Sequence, residues 1–275
     1  MSGQTESLLV ATIVMTSIST LVIITRITFR ACLIRTVGWD DWIVLLATMI
    51  NIGISISIIL GVGRGLGGRE CSDNPNDQTL SKLHIATQLL YTVTAGLIKI
   101  SILIMYHRVF LDLQVITILT IIFIVAMSVA FFFTYIFQCD LPDPCSTSTE
   151  IRKRKCLPAL GFWTAASAVF VTTDIWIVVL PIKIVLNLQL SWEKRITVLV
   201  VFSLGLLSCG AGIARLIYIV KLYDSIEPPS WTSAPIQLCS MLEVSLALVA
   251  CSIAPLKKGA VKIKEYLTRD SAAVR

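Results

Sequence analysis

Four ionisable side chains, Lys99, Asp174, Arg215 and Glu243, stand deep inside long apolar runs, and His84 stands near the start of one. A charge at such depth costs about 2.5–3.5 kcal/mol even on lenient insertion scales, so each must face the protein interior and find a partner. Two carboxyl groups, an ammonium and a guanidinium are equipment for acid–base chemistry. Asp174 or Glu243 can donate a proton, and Lys99 or Arg215 can stabilise the negative charge that develops. The same groups can serve as structural ion pairs between helices, or as the polar lining of a small-molecule pocket. His84, Tyr91 and Lys99 recur at intervals of seven and eight, which sets them near one helix face. The candidate ligand-binding set is therefore His84, Tyr91, Lys99, Asp174, Arg215 and Glu243, with Asp174 and Glu243 as the candidates for catalysis.

The elements that must position these groups are read from hydropathy. Of the 275 residues, 56% are hydrophobic and 15% charged, with a mean hydropathy of +0.84; soluble domains carry about a quarter charged residues. Crossing a bilayer takes roughly 20 apolar residues in a helix. Such runs fall near Leu8–Phe29, Trp42–Gly61, Leu83–Tyr106, Val115–Phe137, Phe162–Leu186, Ile196–Leu222 and Thr232–Leu256. They predict an all-α polytopic membrane protein, a bundle of seven transmembrane helices over residues 1–256 with a short basic cytosolic tail over 257–275. The leading MSGQTES lacks the basic stretch of a cleavable signal, so the first span is expected to remain. A net charge of +6 would suggest nucleic acid for a soluble protein. Here the basic residues flank the apolar runs, so the partner expected is the lipid bilayer and not nucleic acid.

Orientation follows from those flanks. With the N-terminus outside or lumenal, 13 basic residues face the cytosol, among them Arg26, Arg30, Arg35, Arg108, Lys257 and Lys258, against seven on the other side. Short connections force sequential helices to be antiparallel neighbours. Helical rise then places Lys99 roughly 25 Å and Asp174 roughly 18 Å from the outer ends of their spans, close enough in depth to pair. Arg215 and Glu243 fall on sequential spans and can also meet. Pro181, seven residues after Asp174, is expected to kink the fifth span, and Gly205, Ser208, Gly210 and Gly212 permit close approach to the sixth.

Cys71, Cys139, Cys145 and Cys156 fall in or beside the outer loops, where two disulfides of undetermined connectivity are expected. Cys209, Cys239 and Cys251 lie in spans, and Cys32 faces the cytosol. No metal site is expected, because Cys139 and Cys145 lack zinc-ligand spacing and a nearby His. The glycines from Gly61 to Gly68 lack the strand, helix and Lys-Ser/Thr ending of a phosphate loop, and read as a turn.

Several segments taken in order resemble one family: GWDDWIVLLA at Gly38–Ala47, KISILIMYHRVF at Lys99–Phe110, the cysteine-bearing loop after the fourth span, TDIWIVVLP at Thr173–Pro181 and MLEVSLALVACSIAPL at Met241–Leu256. The chain is similar to the fungal rhodopsin-like seven-span membrane proteins, related to the membrane part of CFEM-type fungal receptors. The resemblance implies a seven-helix fold, a fungal source and an association with secondary-metabolite pathways. The chain departs from the common pattern at Leu66, where His is usual, at Phe170, where Asn is usual, and before Pro255, where a second Pro is missing. No cofactor is expected: opsin chromophores attach to a Lys in the seventh span, which here holds Glu243 and no Lys before Lys257. Two functions follow as expectations. One is a receptor-like or accessory protein with a pocket for a small lipophilic molecule. The other is a membrane-embedded cyclase or isomerase acting on a lipophilic intermediate. Short loops and a short tail disfavour a G protein as partner.

Overall fold

In a lipid environment every backbone polar group needs a partner within its own segment, and long apolar runs meet that demand as helices. The computed structural model describes residues 3–34, 38–64, 66, 79–109, 113–137, 159–181, 192–224 and 229–273. Its helices are α1 (Gly3–Thr28), α2 (Trp39–Gly63), α3 (Thr79–Val109), α4 (Gln114–Ile136), α5 (Ala159–Val179), α6 (Trp192–Asp224) and α7 (Pro229–Ala273). All seven are long and apolar enough to cross a membrane, and no strand occurs among the described residues.

The bundle is organised around α3 and α7, whose apolar windows are the most buried, while α1, α4 and α6 are the most exposed. α7 packs against α1, α2, α3 and α6; α3 packs against α2, α4, α5 and α7. The main core joins Val44, Ala47 and Ile54 of α2, Tyr91 and Ile98 of α3, and Met241, Val244 and Leu248 of α7. A smaller cluster of Leu103, Ile124 and Ile177 ties α3 to α4 and α5. The outward faces remain apolar, with Leu21, Val115 and Leu119 exposed, which suits a solvent of lipid tails. Several buried hydroxyls are satisfied locally: Thr12, Thr48, Thr92 and Ser252 donate to carbonyls four residues earlier.

Two ends of elements depart from simple helix. α1 continues into a π-helical turn, Phe29–Ile34, that carries Arg30. α2 begins with a cap in which the Gly38 amide donates to the Asp41 carboxylate at 3.0 Å, so the acidic pair starts the helix where its dipole favours negative charge.

The sequence predicts a kink at Pro181; the described α5 ends just before it, at Val179, with Leu180 bonding back to Trp176 at 3.0 Å. Proline disfavours helical backbone in the residue before it, which accounts for the end at Val179; residues 182–191, on the far side of the expected kink, lie outside the described residues. Among the described residues, Pro235 and Pro255 sit inside α7. Cys71, Cys139, Cys145 and Cys156 lie outside the described residues; Cys32, Cys209, Cys239 and Cys251 are unbridged.

Candidate functional site

Four of the charged residues singled out above converge at mid-bundle. Lys99 on α3 reaches α5, where its ammonium donates to the Phe170 carbonyl at 2.8 Å and the Thr173 hydroxyl at 2.7 Å, and pairs with Asp174 at 3.3 Å. Its three donors are thus engaged. The Phe170 ring stands 4.7 Å from the ammonium, so the position where Asn is usual adds an aromatic face beside the charge.

Arg215 on α6 pairs with Glu243 on α7 at 3.5 Å. The Tyr91 hydroxyl donates to the other Glu243 oxygen at 2.5 Å, and the Arg215 guanidinium lies over the Tyr91 ring at 4.2 Å. Ser208 donates to the Glu243 backbone carbonyl at 3.0 Å. Glu243 can approach α6 because Gly212 has no side chain: a Cβ there would lie 3.3 Å from Glu243 Oε2 and 3.2 Å from Val171. Gly205 makes a similar approach to Val178, whereas Gly210 faces open space. Of the three glycines on the sixth span, then, two serve packing and one does not.

Between the pairs lies a cavity of about 50 Å³, bordered by Lys99, Asp174, Ser208, Glu243 and apolar residues of α3, α5, α6 and α7. Ligand pockets usually measure about 300–1,000 Å³, so this cavity is sized for a functional group and not for a whole lipophilic molecule. Asp174 Oδ2 and Glu243 Oε2 are buried without a hydrogen-bond partner.

His84 does not join this cluster. It lies seven residues from Tyr91, about 10 Å along the helix, where its ring meets Gln237 at 3.1 Å and packs beside Trp163. Among the described residues no group of His, Cys, Asp or Glu could hold a metal ion.

A second polar cluster, at the end of the bundle where α1 meets α2, was not recognised as a site from sequence. Arg26, only 2% exposed, bonds Asp40 at 2.9 Å, Asp41 at 3.1 Å and the Cys251 carbonyl at 2.9 Å. Arg30 donates to the same carboxylates at 2.9 and 2.6 Å. Arg108, at the end of α3 and 58% exposed, stands 3.6 Å from Asp40. By sequence alone these arginines read as membrane flanks and the aspartates as part of a motif. The available signal was an Arg inside the first apolar helix and an acidic pair at the start of the second, both needing partners.

The two clusters share helices. α3 carries Tyr91, Lys99 and Arg108; α7 carries Glu243 and, eight residues or about 12 Å further on, Cys251. Ser101, two residues beyond Lys99, donates to the Asp40 carbonyl at 3.4 Å.

The chain shares 31% identity over 108 residues with fugralins biosynthesis cluster protein 2 of Gibberella zeae, covering 39% of this chain and 26% of that protein. It shares 25% over 252 residues with wortmanamides biosynthesis cluster protein C of Talaromyces wortmannii, covering 84% of this chain and 65% of that one. With the receptor GIN3 of Arthrobotrys oligospora it shares 26% over 178 residues, covering 63% and 42%. The chain thus spans less than two thirds of the length of these curated relatives. No solved structure matches it. The model for the fungal rhodopsin domain matches residues 25–262, from the end of α1 into α7 and well over half of the chain, and on that match the chain belongs to the fungal rhodopsin domain family.

Proposed function

We propose that this membrane protein serves a fungal secondary-metabolite pathway by holding part of a small lipophilic molecule between its helices, in a receptor-like or accessory role. The observation that carries the reading is the sharing of α3 and α7 by two buried polar clusters. A group bound beside Lys99, Asp174 and Glu243 would bear on the same helices that hold Arg108 and the Cys251 carbonyl. A ligand shifts an equilibrium only through such differential contacts. The names of the relatives, two biosynthesis-cluster proteins and a receptor, support this range of roles. In this proposal the N-terminus is outside or lumenal, the Arg26 cluster is cytosolic, and Cys71, Cys139, Cys145 and Cys156 form two disulfides on the outer side.

The test is native mass spectrometry of the full chain in nanodiscs exposed to lipophilic extract of the host. One or a few small molecules should be retained by wild type and lost in Asp174→Asn, with protein level unchanged. Indifferent binding of bulk lipid by both proteins would end the proposal.

A second reading, a membrane-embedded cyclase or isomerase, draws on the two cavity-facing carboxyl groups with unpartnered oxygens. Lys99 is poorly placed to stabilise new negative charge, since its donors are occupied. Conversion of a retained molecule by purified protein would favour this reading.

A further inference from the structure

The cavity between the ion pairs restricts the chemistry of what it can hold. The four surrounding charges, Lys99 and Arg215 against Asp174 and Glu243, sum to zero, so an added ion would leave a buried net charge. The donors that reach the cavity are already used: Lys99 has three acceptors and Ser208 donates to the Glu243 carbonyl. Tyr91 and Arg215 engage Glu243 from outside the cavity border. Among the side chains that border the cavity, what remains open is chiefly Asp174 Oδ2; Glu243 Oε2 also lacks a hydrogen bond but stands 3.5 Å from Arg215 Nε, which with Nη2 is itself buried without a hydrogen-bond partner, outside the cavity border.

We propose that this cavity takes a neutral hydrogen-bond donor, a hydroxyl or an amide N–H carried on an otherwise apolar molecule, seated between Asp174 and Glu243. The assignment rests on the small-molecule reading above and names its ligand class. A volume of about 50 Å³ admits the head group alone. The apolar remainder must part α6 from α5, toward exposed Trp176 and Leu206, since Gly205 packs closely on Val178 there. A molecule that can only accept, such as an ether, would leave Asp174 Oδ2 unpaired, and a carboxylate would set like charges together.

The experiment uses the full chain in nanodiscs with five probes of one chain length: 1-decanol, decanamide, decyl methyl ether, decylammonium and decanoate. Saturable binding is read by native mass spectrometry and by the shift in unfolding temperature. The alcohol and the amide should bind, and the ether should bind about tenfold to a hundredfold more weakly. Asp174→Asn should weaken the alcohol. Ala247→Val, which fills the cavity from α7 and leaves every charge in place, should abolish binding while retaining the wild-type unfolding temperature. Equal binding of ether and alcohol, or preference for either ion, would overturn the inference. So would saturable binding by none of the five, which would make the cavity a site for water only. The broader reading fails separately, when nothing from the host extract is retained in an Asp174-dependent way; a retained molecule without a hydroxyl or N–H would sink the head-group assignment and leave that reading standing.

Discussion

Arg26 donates to the backbone carbonyl of Cys251 at 2.9 Å, and Pro255 is the reason that carbonyl is free to accept. In an uninterrupted helix the carbonyl of residue 251 would take the amide of residue 255, and proline has none. The guanidinium fills that gap while its other nitrogens hold Asp40 and Asp41. One buried cation on α1 thereby joins the start of α2 to the interrupted turn of α7.

Arg26→Leu should lower stability by about 3–5 kcal/mol, the usual cost of breaking a buried pair from one side. Arg26→Lys should recover only part, because an ammonium cannot reproduce the planar fork. Unfolding in nanodiscs, together with membrane protein level, measures both. Wild-type values for Arg26→Leu would show that Arg30 alone suffices to hold the aspartates.

At the exposed rim of this cluster, Arg108→Ala should change stability by less than about 1 kcal/mol, since an exposed arginine is well screened. Gly38→Ala should be clearly worse. A Cβ there would run into Asp40 Oδ1 and approach Arg108 Nη2 to 3.1 Å. The same unfolding assay ranks the two, and the reverse order would mean that Asp40 can move aside.

For the interior pair, a double-mutant cycle separates structure from function. Glu243→Leu and Arg215→Met should each destabilise by about 3–5 kcal/mol, and the double variant by less than the sum, because it leaves no unpaired charge. Strict additivity of the two losses would show that Arg215 and Glu243 do not interact energetically.

The glycines of α6 give a prediction of opposite signs. Gly210 faces open space, so Gly210→Ala should be neutral or stabilising by about 0.5–1 kcal/mol. Gly212→Ala should destabilise, since Glu243 and Val171 must give way together. If Gly212→Ala were as well tolerated as Gly210→Ala, the close contact with Glu243 would be unimportant.

Orientation can be tested directly. In a background lacking the native cysteines, single cysteines introduced near Asp73 and near Lys258 should label from opposite sides of the membrane, because basic residues concentrate beside the α1, α3 and α7 ends. Labelling of both from one side would reject the proposed topology.

The seven apolar helices were legible in the sequence because the bilayer imposes a length and a composition that few other structures share. The depth of Lys99, Asp174, Arg215 and Glu243 was legible too, since helical rise converts position into distance. Rotation about each helix axis was not. Which neighbour a side chain faces depends on packing across all the helices, so only the tertiary structure could seat Tyr91 on Glu243 or turn Gly212 toward it. His84 shares a helical face with Lys99 by spacing, yet it stands about four turns away, beside Gln237. Arg26 reads as a flank, and Asp40 and Asp41 only as part of a motif, because a charge at a span end can always be assigned to water or headgroups. Their burial follows from the approach of α7, whose carbonyl at Cys251 is opened by a proline 229 positions along the chain from Arg26.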